Sequence, residues 1–264
     1  MTYKIVIANE KGGVAKTTSA VSLGGALAEA GKNVLLIDLD PQANLTLALG
    51  VKPHEAKRAI SQVMLNSDDP ASVIHETAIE RLSLIPSNNE MGLAERFLPI
   101  RQNFHNILRN ALYGLQEYDY IIMDCPPALG AITTNALTAA DLLIIPTQAE
   151  FFSTHALKKM MNAVRQVRKN GNPRLVYRVF VTMLDKRNRT HKLFMDQLYT
   201  TFGDGLARTV VETDTKLRES PIVGLPITSY FSQSRSADQY RSLAEEITNY
   251  VEKITEKTFS SSAR

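Results

Sequence analysis

The amino-acid sequence predicts an α/β fold with a mostly parallel, twisted sheet covered by helices on both faces, and two observations predict it. Short β-branched runs alternate along the chain with stretches of helical period, which is the signature of βαβ units. The runs are apolar almost throughout, as in Val34-Leu35-Leu36-Ile37 and Leu142-Leu143-Ile144-Ile145, and a strand reads that way when both of its faces are buried under helices. A length of 264 residues suits one domain. No internal repeat or low-complexity linker divides it, so residues 1–258 are expected to form a single domain and 259–264, a serine-rich end, a disordered tail.

In order, strands are expected over 4–8, 33–38, 82–86, 120–124, 141–146 and 177–183, each a strand-length run rich in Val, Ile or Leu. Helices are expected over 17–30, 101–116, 132–140, 154–169, 191–202 and 236–257. The last is the clearest, because Tyr240, Leu243, Ala244, Ile247, Tyr250, Val251 and Ile254 fall on one stripe at helical spacing. In an open parallel sheet, ligands gather at the carboxyl ends of the strands. The segments that follow Ala8, Asp38, Asp124, Pro146 and Met183 are therefore the places to look for chemistry.

Composition narrows the setting. Hydrophobic residues make up 44% and charged residues 22%, a globular balance rather than a disordered one. No apolar run approaches the roughly 20 residues of a membrane-spanning helix, and the chain starts directly into a strand without a signal-peptide pattern. The single cysteine, Cys125, excludes an intramolecular disulfide and fits a reducing cytoplasm. The formal charge of +3 is shared by many soluble proteins. Basic residues do concentrate in the second half: Lys158, Lys159, Arg165, Arg168 and Lys169, then Lys186, Arg187, Arg189 and Lys192.

The first strand is followed by Asn9-Glu10-Lys11-Gly12-Gly13-Val14-Ala15-Lys16-Thr17-Thr18 and a helix. Glycines let successive N–H groups turn inward on phosphate oxygens, and the helix N-terminus behind them adds partial positive charge. Lys16 supplies a cation to the β- and γ-phosphates, and the Thr17 hydroxyl can ligate Mg²⁺. The strict G-x-x-x-x-G-K-[ST] pattern is not met, since Glu10 and Ala15 stand where it has glycines. The competing reading is a Gly-Gly turn between a strand and a helix. The segment does match K-G-G-x-[GA]-K-[ST]-[ST], the deviant Walker A motif, and so resembles the ParA/MinD superfamily of P-loop ATPases, which also holds the nitrogenase iron protein. The resemblance implies that ATP is bound by Lys11, Gly12, Gly13, Val14, Ala15, Lys16, Thr17 and Thr18. It also implies that Lys11, the signature lysine, reaches across a nucleotide-sandwich homodimer, an ammonium supplied in trans to the developing negative charge.

Two further strand ends carry carboxylates. Ile37-Asp38-Leu39-Asp40-Pro41-Gln42 places two of them two residues apart. One can organise Mg²⁺ or its waters and the other can orient an attacking water, although Asp-Pro-Gln-Ala-Asn is also good turn chemistry. By resemblance to ParA proteins, Asp40 positions the water and Asp38 supports the metal shell. Tyr120-Ile121-Ile122-Met123-Asp124-Cys125-Pro126-Pro127 has the Walker B form, so Asp124 is expected to hold Mg²⁺ through a water. An iron–sulfur cluster shared between two subunits needs two cysteines from each. Cys125 is therefore read as a packing residue.

The resemblance to ParA runs nearly the whole length. Pro146-Thr147-Gln148-Ala149-Glu150 resembles P-x-Q-A-E, and Thr182-Met183-Leu184-Asp185 resembles T-M-x-D, which places Met183 near the adenine. The 217–227 stretch resembles L-x-E-[AS]-P-x-x-G-x-P, and Ser234-Arg235-Ser236-Ala237 stands for S-R-G-A, with Ser236 in the glycine's place. Arg235 is similar in position to a residue implicated in nonspecific DNA binding, with Lys216 a second candidate. Arg235 reads equally as a helix-start or interface residue. With a first strand expected at about residue 4, an operator-reading N-terminal domain is not expected, and the small Soj-like form fits.

The resemblance thus implies an ATPase of weak intrinsic activity with catalytic Asp40, Lys11 and Lys16. Its metal residues are Thr17, Asp38 and Asp124, and its cofactors are ATP and Mg²⁺. Its ATP-bound dimer holds double-stranded DNA without sequence preference and is released by a ParB-like activating protein, in the cytoplasm at the nucleoid. The cargo stays open among plasmid or chromosome partition, carboxysome spacing and chemoreceptor positioning. The alternative is a MinD-like membrane switch, which needs a basic, bulky amphipathic C-terminus. Here Glu245, Glu246, Glu252 and Glu256 stand beside Lys253 and Lys257.

Overall fold

The computed structural model describes residues 2–56 and 58–262, with the backbone alone described from 255 to 262. Eight strands are β1 (Tyr3–Ile7), β2 (Val34–Asp38), β3 (His75–Glu76), β4 (Leu82–Ile85), β5 (Tyr120–Asp124), β6 (Leu142–Thr147), β7 (Val176–Leu184) and β8 (Leu206–Glu212). The helices are α1 (Lys16–Glu29), α2 (Asn44–Ala48), α3 (Ile60–Asn66), α4 (Met91–Phe97), α5 (Ile107–Ala111), α6 (Ala131–Ala139), α7 (Phe151–Asn170), α8 (Arg189–Phe202), α9 (Lys216–Val223), α10 (Ile227–Tyr230) and α11 (Arg235–Ser262). The strands form one sheet in the order β3-β4-β2-β5-β1-β6-β7-β8. Every pairing is parallel except β3 with β4. The order places β1 centrally, between β5 and β6, where the chain's path across the sheet reverses. The loop after β1 therefore opens at the switch point where parallel sheets bind ligands.

Alternate strand residues serve two cores. Val6, Leu35, Ile37, Ile121, Met123, Leu143 and Ile145 pack under α3 to α8 on one face. Ile5, Ile7, Leu36, Ile122 and Ile144 pack under α1, α2, α10 and α11 on the other. The C-terminal stripe is core: Tyr240, Leu243, Ala244, Ile247 and Val251 are buried, and the Tyr240 hydroxyl lies 3.1 Å from Ser19 Oγ of α1.

All six expected strands are present within two residues of their expected bounds. Strand β8 was not expected, because Leu206-Ala207-Arg208-Thr209-Val210-Val211-Glu212 mixes charge into an edge position. Its Arg208 and Thr209 N–H groups donate to the Glu246 carboxylate of α11 at 2.8 and 2.9 Å, which covers part of the edge. The helix expected over 101–116 is a correction. Only Ile107–Ala111 is α-helical, between 3₁₀ turns at Phe104–Asn106 and Leu112–Gly114. Asn103 sits at φ 53° and delays the start. Helix α11 extends to Ser262, past the expected end at 257 and into the stretch read as a tail. Residues 263 and 264 of that tail lie outside the described residues.

Candidate nucleotide site

The loop between β1 and α1 is anchored from both sides. Asn9 Nδ2 donates to the Pro146 carbonyl at 2.8 Å, and Asn9 Oδ1 accepts from the Lys11 N–H at 3.0 Å. Gly13 at φ 71° and Ala15 at φ 62° are both left-handed. Glycine takes that conformation freely, whereas alanine takes it at a cost of about 1–2 kcal/mol, so the loop is held in shape by its surroundings. A Cβ added at Gly12 or Gly13 would meet nothing within 4 Å, so the backbone faces an open cradle. Lys16 is buried, and its ammonium donates to the Lys11 carbonyl at 3.2 Å. It makes no ion pair among the described residues. Burial lowers its pKa, opposed by Asp124 and Asp40.

Three carboxylates meet this loop. Thr17 Oγ1 donates to Asp124 Oδ2 at 2.7 Å. Asp124 Oδ1 is buried with no hydrogen-bond partner, a costly arrangement for an acceptor. Asp38 sits directly across from it in the β2–β5 register. Burial, then the neighbouring Asp38, pushes the Asp124 carboxyl well above the usual range. Asp38 is fully buried and rises to about 6, chiefly from burial. It is held down in part by hydrogen bonds from the Thr46 N–H at 2.8 Å, the Thr46 hydroxyl at 2.7 Å and the Asp40 N–H at 3.1 Å. Asp40 in turn accepts from the Gln42 N–H at 2.9 Å. The turn chemistry and the functional reading therefore coexist in one segment.

These residues fit a magnesium ion brought in with phosphates. The orphaned oxygen of Asp124 and the Thr17 hydroxyl beside it are hard oxygen donors in a pocket short of positive charge. Among the described residues no group of three or more His, Cys, Asp or Glu side chains is arranged to hold a metal ion, so an ion here would take the rest of its shell from waters and phosphate oxygens. Asp38, with both oxygens engaged by Thr46 and the Asp40 N–H, is placed to support such a shell rather than enter it.

The remaining expected residues fall as follows. Val14 is buried, and its carbonyl accepts from Thr182 Oγ1 at 3.2 Å. Thr18 lines a cavity of about 330 Å³ together with Thr17, Asn44 and Ser220. Met183 sits at φ 52° with its sulfur 3.7 Å from Gln148 Nε2. The Lys11 ammonium is held within its own chain, donating to Gln148 Oε1 at 2.9 Å and pairing with Glu150. Arg235 pairs with Glu212 at 3.1 Å and donates to the Thr213 carbonyl at 3.0 Å. Lys216 pairs with Glu219 at 2.7 Å. Ser236, in the place of a glycine, is buried and donates to Asp214 Oδ2 at 2.8 Å. Sequence reasoning missed Thr46 as the anchor of Asp38. Its one local signal is a hydroxyl residue between two leucines at 45 and 47. Gln148 and Glu150 were legible only as part of a family segment, without a partner.

Residues 2–177 match the family model described as "AAA domain". The chain is 39% identical over 245 residues to the sporulation initiation inhibitor protein Soj of Bacillus subtilis, covering 92% of this chain and 97% of that one. The chain belongs to the ParA/Soj family of ATPases. Another relative of this ParA/Soj-family chain is the chromosome partitioning protein ParA of Caulobacter vibrioides, 34% identical with 92% of each chain covered. Among solved structures, cobyrinic acid a,c-diamide synthase of Mycobacterium smegmatis, with bound ADP and magnesium, superposes with a TM-score of 0.81 at 31% identity over 96% of both chains. In this ParA/Soj-family chain the deviant loop, the Asp38-to-Asp40 turn and Asp124 lie at the carboxyl ends of β1, β2 and β5, adjacent parallel strands of the sheet.

Proposed function

We propose that this chain is an ATP-switched partitioning or positioning ATPase whose nucleotide state controls dimerisation and DNA binding. One observation carries the reading: Lys16, Thr17, Asp124, Asp38 and Asp40 gather around an open backbone cradle at the ends of β1, β2 and β5, with Lys11 beside them. Gly12, Gly13 and the first turn of α1 receive the phosphates of ATP. Lys16, a buried ammonium without a carboxylate partner, neutralises them. Bound with the nucleotide, Mg²⁺ would sit against Thr17 and Asp124 and offset charge on the phosphoryl oxygens. Asp40 orients a water for in-line attack on the γ-phosphorus. The bond to the ADP oxygen breaks, and positioning and electrostatics supply the catalysis.

Lys11 gives the switch its second part. To reach the nucleotide of a second protomer it leaves Glu150 and Gln148, so closure of the dimer exchanges one partner for another. The dimer then presents Arg235, Lys216 and neighbouring basic residues to DNA phosphates, and a ParB-like protein triggers hydrolysis and release. The C-terminal stripe is buried in the core, and no helix among the described residues is long and apolar enough to cross a membrane. The first observation, an apolar stripe already used in the core, favours the DNA reading over a MinD-like surface helix.

The deciding experiment is binding to a random-sequence duplex with ATP, with ADP and without nucleotide, across a salt series. Binding is expected with ATP alone and is expected to weaken steeply with salt. Equal binding in all three states would refute the switch. By calorimetry, Lys16→Ala should lose ATP binding. Asp40→Ala should still bind ATP while its hydrolysis falls by about 10²–10⁴-fold. Lys11→Ala should bind ATP yet sediment as a monomer.

A further inference from the structure

We propose that the groove between α7 and α8 is the docking site for an acidic, amphipathic helix of a partner protein. The groove encloses about 380 Å³. Its floor is apolar, made by Leu157 and Met161 of α7 and by Phe194, Leu198 and Phe202 of α8. A cavity of this size lined by aliphatic and aromatic side chains is the ordinary form of a binding site. It is separate from the phosphate loop, since Lys16, Thr17 and Asp124 do not line it.

Three further observations say what fits there. At the upper end Ser153 is only 2% exposed, and its hydroxyl has no hydrogen-bond partner. A buried hydroxyl in that state wants a polar group from a ligand. Along the rim stand Lys158 and Arg165, both exposed. Arg165 bonds only to the neutral Asn162, at 2.9 Å, and neither forms an ion pair among the described residues. They are seven residues apart on one helix face, about 10 Å, which is two turns. A helix lying along the groove would offer carboxylates at that spacing and apolar residues at the i, i+3, i+4 and i+7 positions between them. Finally, α8 exposes Leu193 at 70%, one turn before the groove-lining Gln197, apolar area beside the floor for a helix-sized occupant.

The groove also touches the switch. Gln148 and Glu150 line its upper end, and the same two side chains hold Lys11. An occupant whose backbone N–H or side-chain amide groups donate to Glu150 or Gln148 loosens the lysine that the proposed dimer requires. This coupling rests on the ATPase reading; the docking itself does not.

The test uses the full chain without nucleotide and a fluorescein-labelled helical peptide of about 18 residues. The peptide has a leucine stripe flanked by glutamates two turns apart. A lysine-substituted version and a scrambled version serve as comparisons, and binding is read by anisotropy. The glutamate peptide is expected to bind about tenfold more tightly than the lysine peptide, the product of two exposed ion pairs. That preference should invert on the Lys158→Glu/Arg165→Glu variant. Met161→Arg, at a half-buried position, should block both peptides while circular dichroism stays unchanged. Equal affinity for all three peptides, or indifference to the rim reversal, overturns the proposal. So does 1-anilinonaphthalene-8-sulfonate filling a groove that takes no peptide, which would make it a small-molecule site. Self-association abolished by Met161→Arg would make the occupant a second copy and overturns it as well. Lys16→Ala is expected to bind the peptide normally. A failure of ATP binding would therefore sink the ATPase reading and leave these readings standing.

Discussion

At the scale of single residues, the clearest device is the hydroxyl of Thr46. It donates to Asp38 at 2.7 Å and accepts from the Ser87 N–H at 2.9 Å, so one oxygen ties a buried carboxylate to the loop after β4. Hydrogen bonds to a charged group are each worth about 1.5–3 kcal/mol. Thr46→Val keeps the shape and removes both bonds. It is expected to lower Tm by roughly 3–10 °C for a chain of this size, read by calorimetry, and Thr46→Ser should restore most of the loss. Because the Asp40 N–H also rests on Asp38, the same change should slow hydrolysis more than it weakens ATP binding. Asp38, Asp40, Thr17 and Asp124 were legible in the sequence because Asp38 and Asp124 end strands, Asp40 follows one by two residues and Thr17 stands in the first turn of a helix, each in a spaced motif. Thr46 was not, because its role exists only once β2, α2 and the loop after β4 meet.

At the scale of elements, α4 reaches the loop that follows Asp124. The Glu95 carboxylate accepts from the Ala131 and Ile132 N–H groups at 2.7 and 3.0 Å. It thereby caps α6 from a different helix and counters the positive end of that helix. A Cβ at Gly130 would lie 1.7 Å from Glu95 Oε1, so the glycine is needed for the carboxylate to fit. Glu95→Ala should cost about 1–2 kcal/mol, as lost caps do, with faster amide exchange at Ala131 and Ile132. Gly130→Ala expels the same carboxylate. The double variant is therefore expected to cost less than the sum of the two singles, and simple additivity in denaturant melts would show that the contact is not made. Helix α6 itself was readable from its period, and so were four other helices, α1, α7, α8 and α11, and six strands. What escaped was whatever depends on distant chain: a cap supplied 36 residues away, an edge strand covered by Glu246, and the breaks on both sides of α5, where helical spacing in the sequence ran on past Asn103 and Gly114.

At the scale of the whole molecule, a net charge of +3 provides little long-range pull on DNA, so the proposed binding depends on where positive charge is left unneutralised. Glu212 decides that on one face. Its carboxylate pairs with Lys186 at 2.9 Å and Arg235 at 3.1 Å and also accepts from Gln239 at 2.8 Å. Lys186 hydrogen-bonding, opposed by burial and aided by Arg235, keeps its pKa below the usual carboxylate range, so it is ionised at neutral pH and competes with any phosphate for both cations. Lys186 and Arg235 are more than half exposed although the Glu212 they share is buried, so both cations keep N–H groups facing solvent. A DNA phosphate can therefore take them over. Glu212→Gln keeps the shape and removes the competitor, and it should tighten ATP-dependent binding to random duplex. Arg235→Ala should weaken binding on every sequence alike and reduce the slope of log affinity against log salt by about 1, the release of one counterion. An unchanged slope in Arg235→Ala, together with unchanged affinity in Glu212→Gln, would mean that this face does not meet DNA. Arg235 would then serve only to tie the start of α11 to the end of β8.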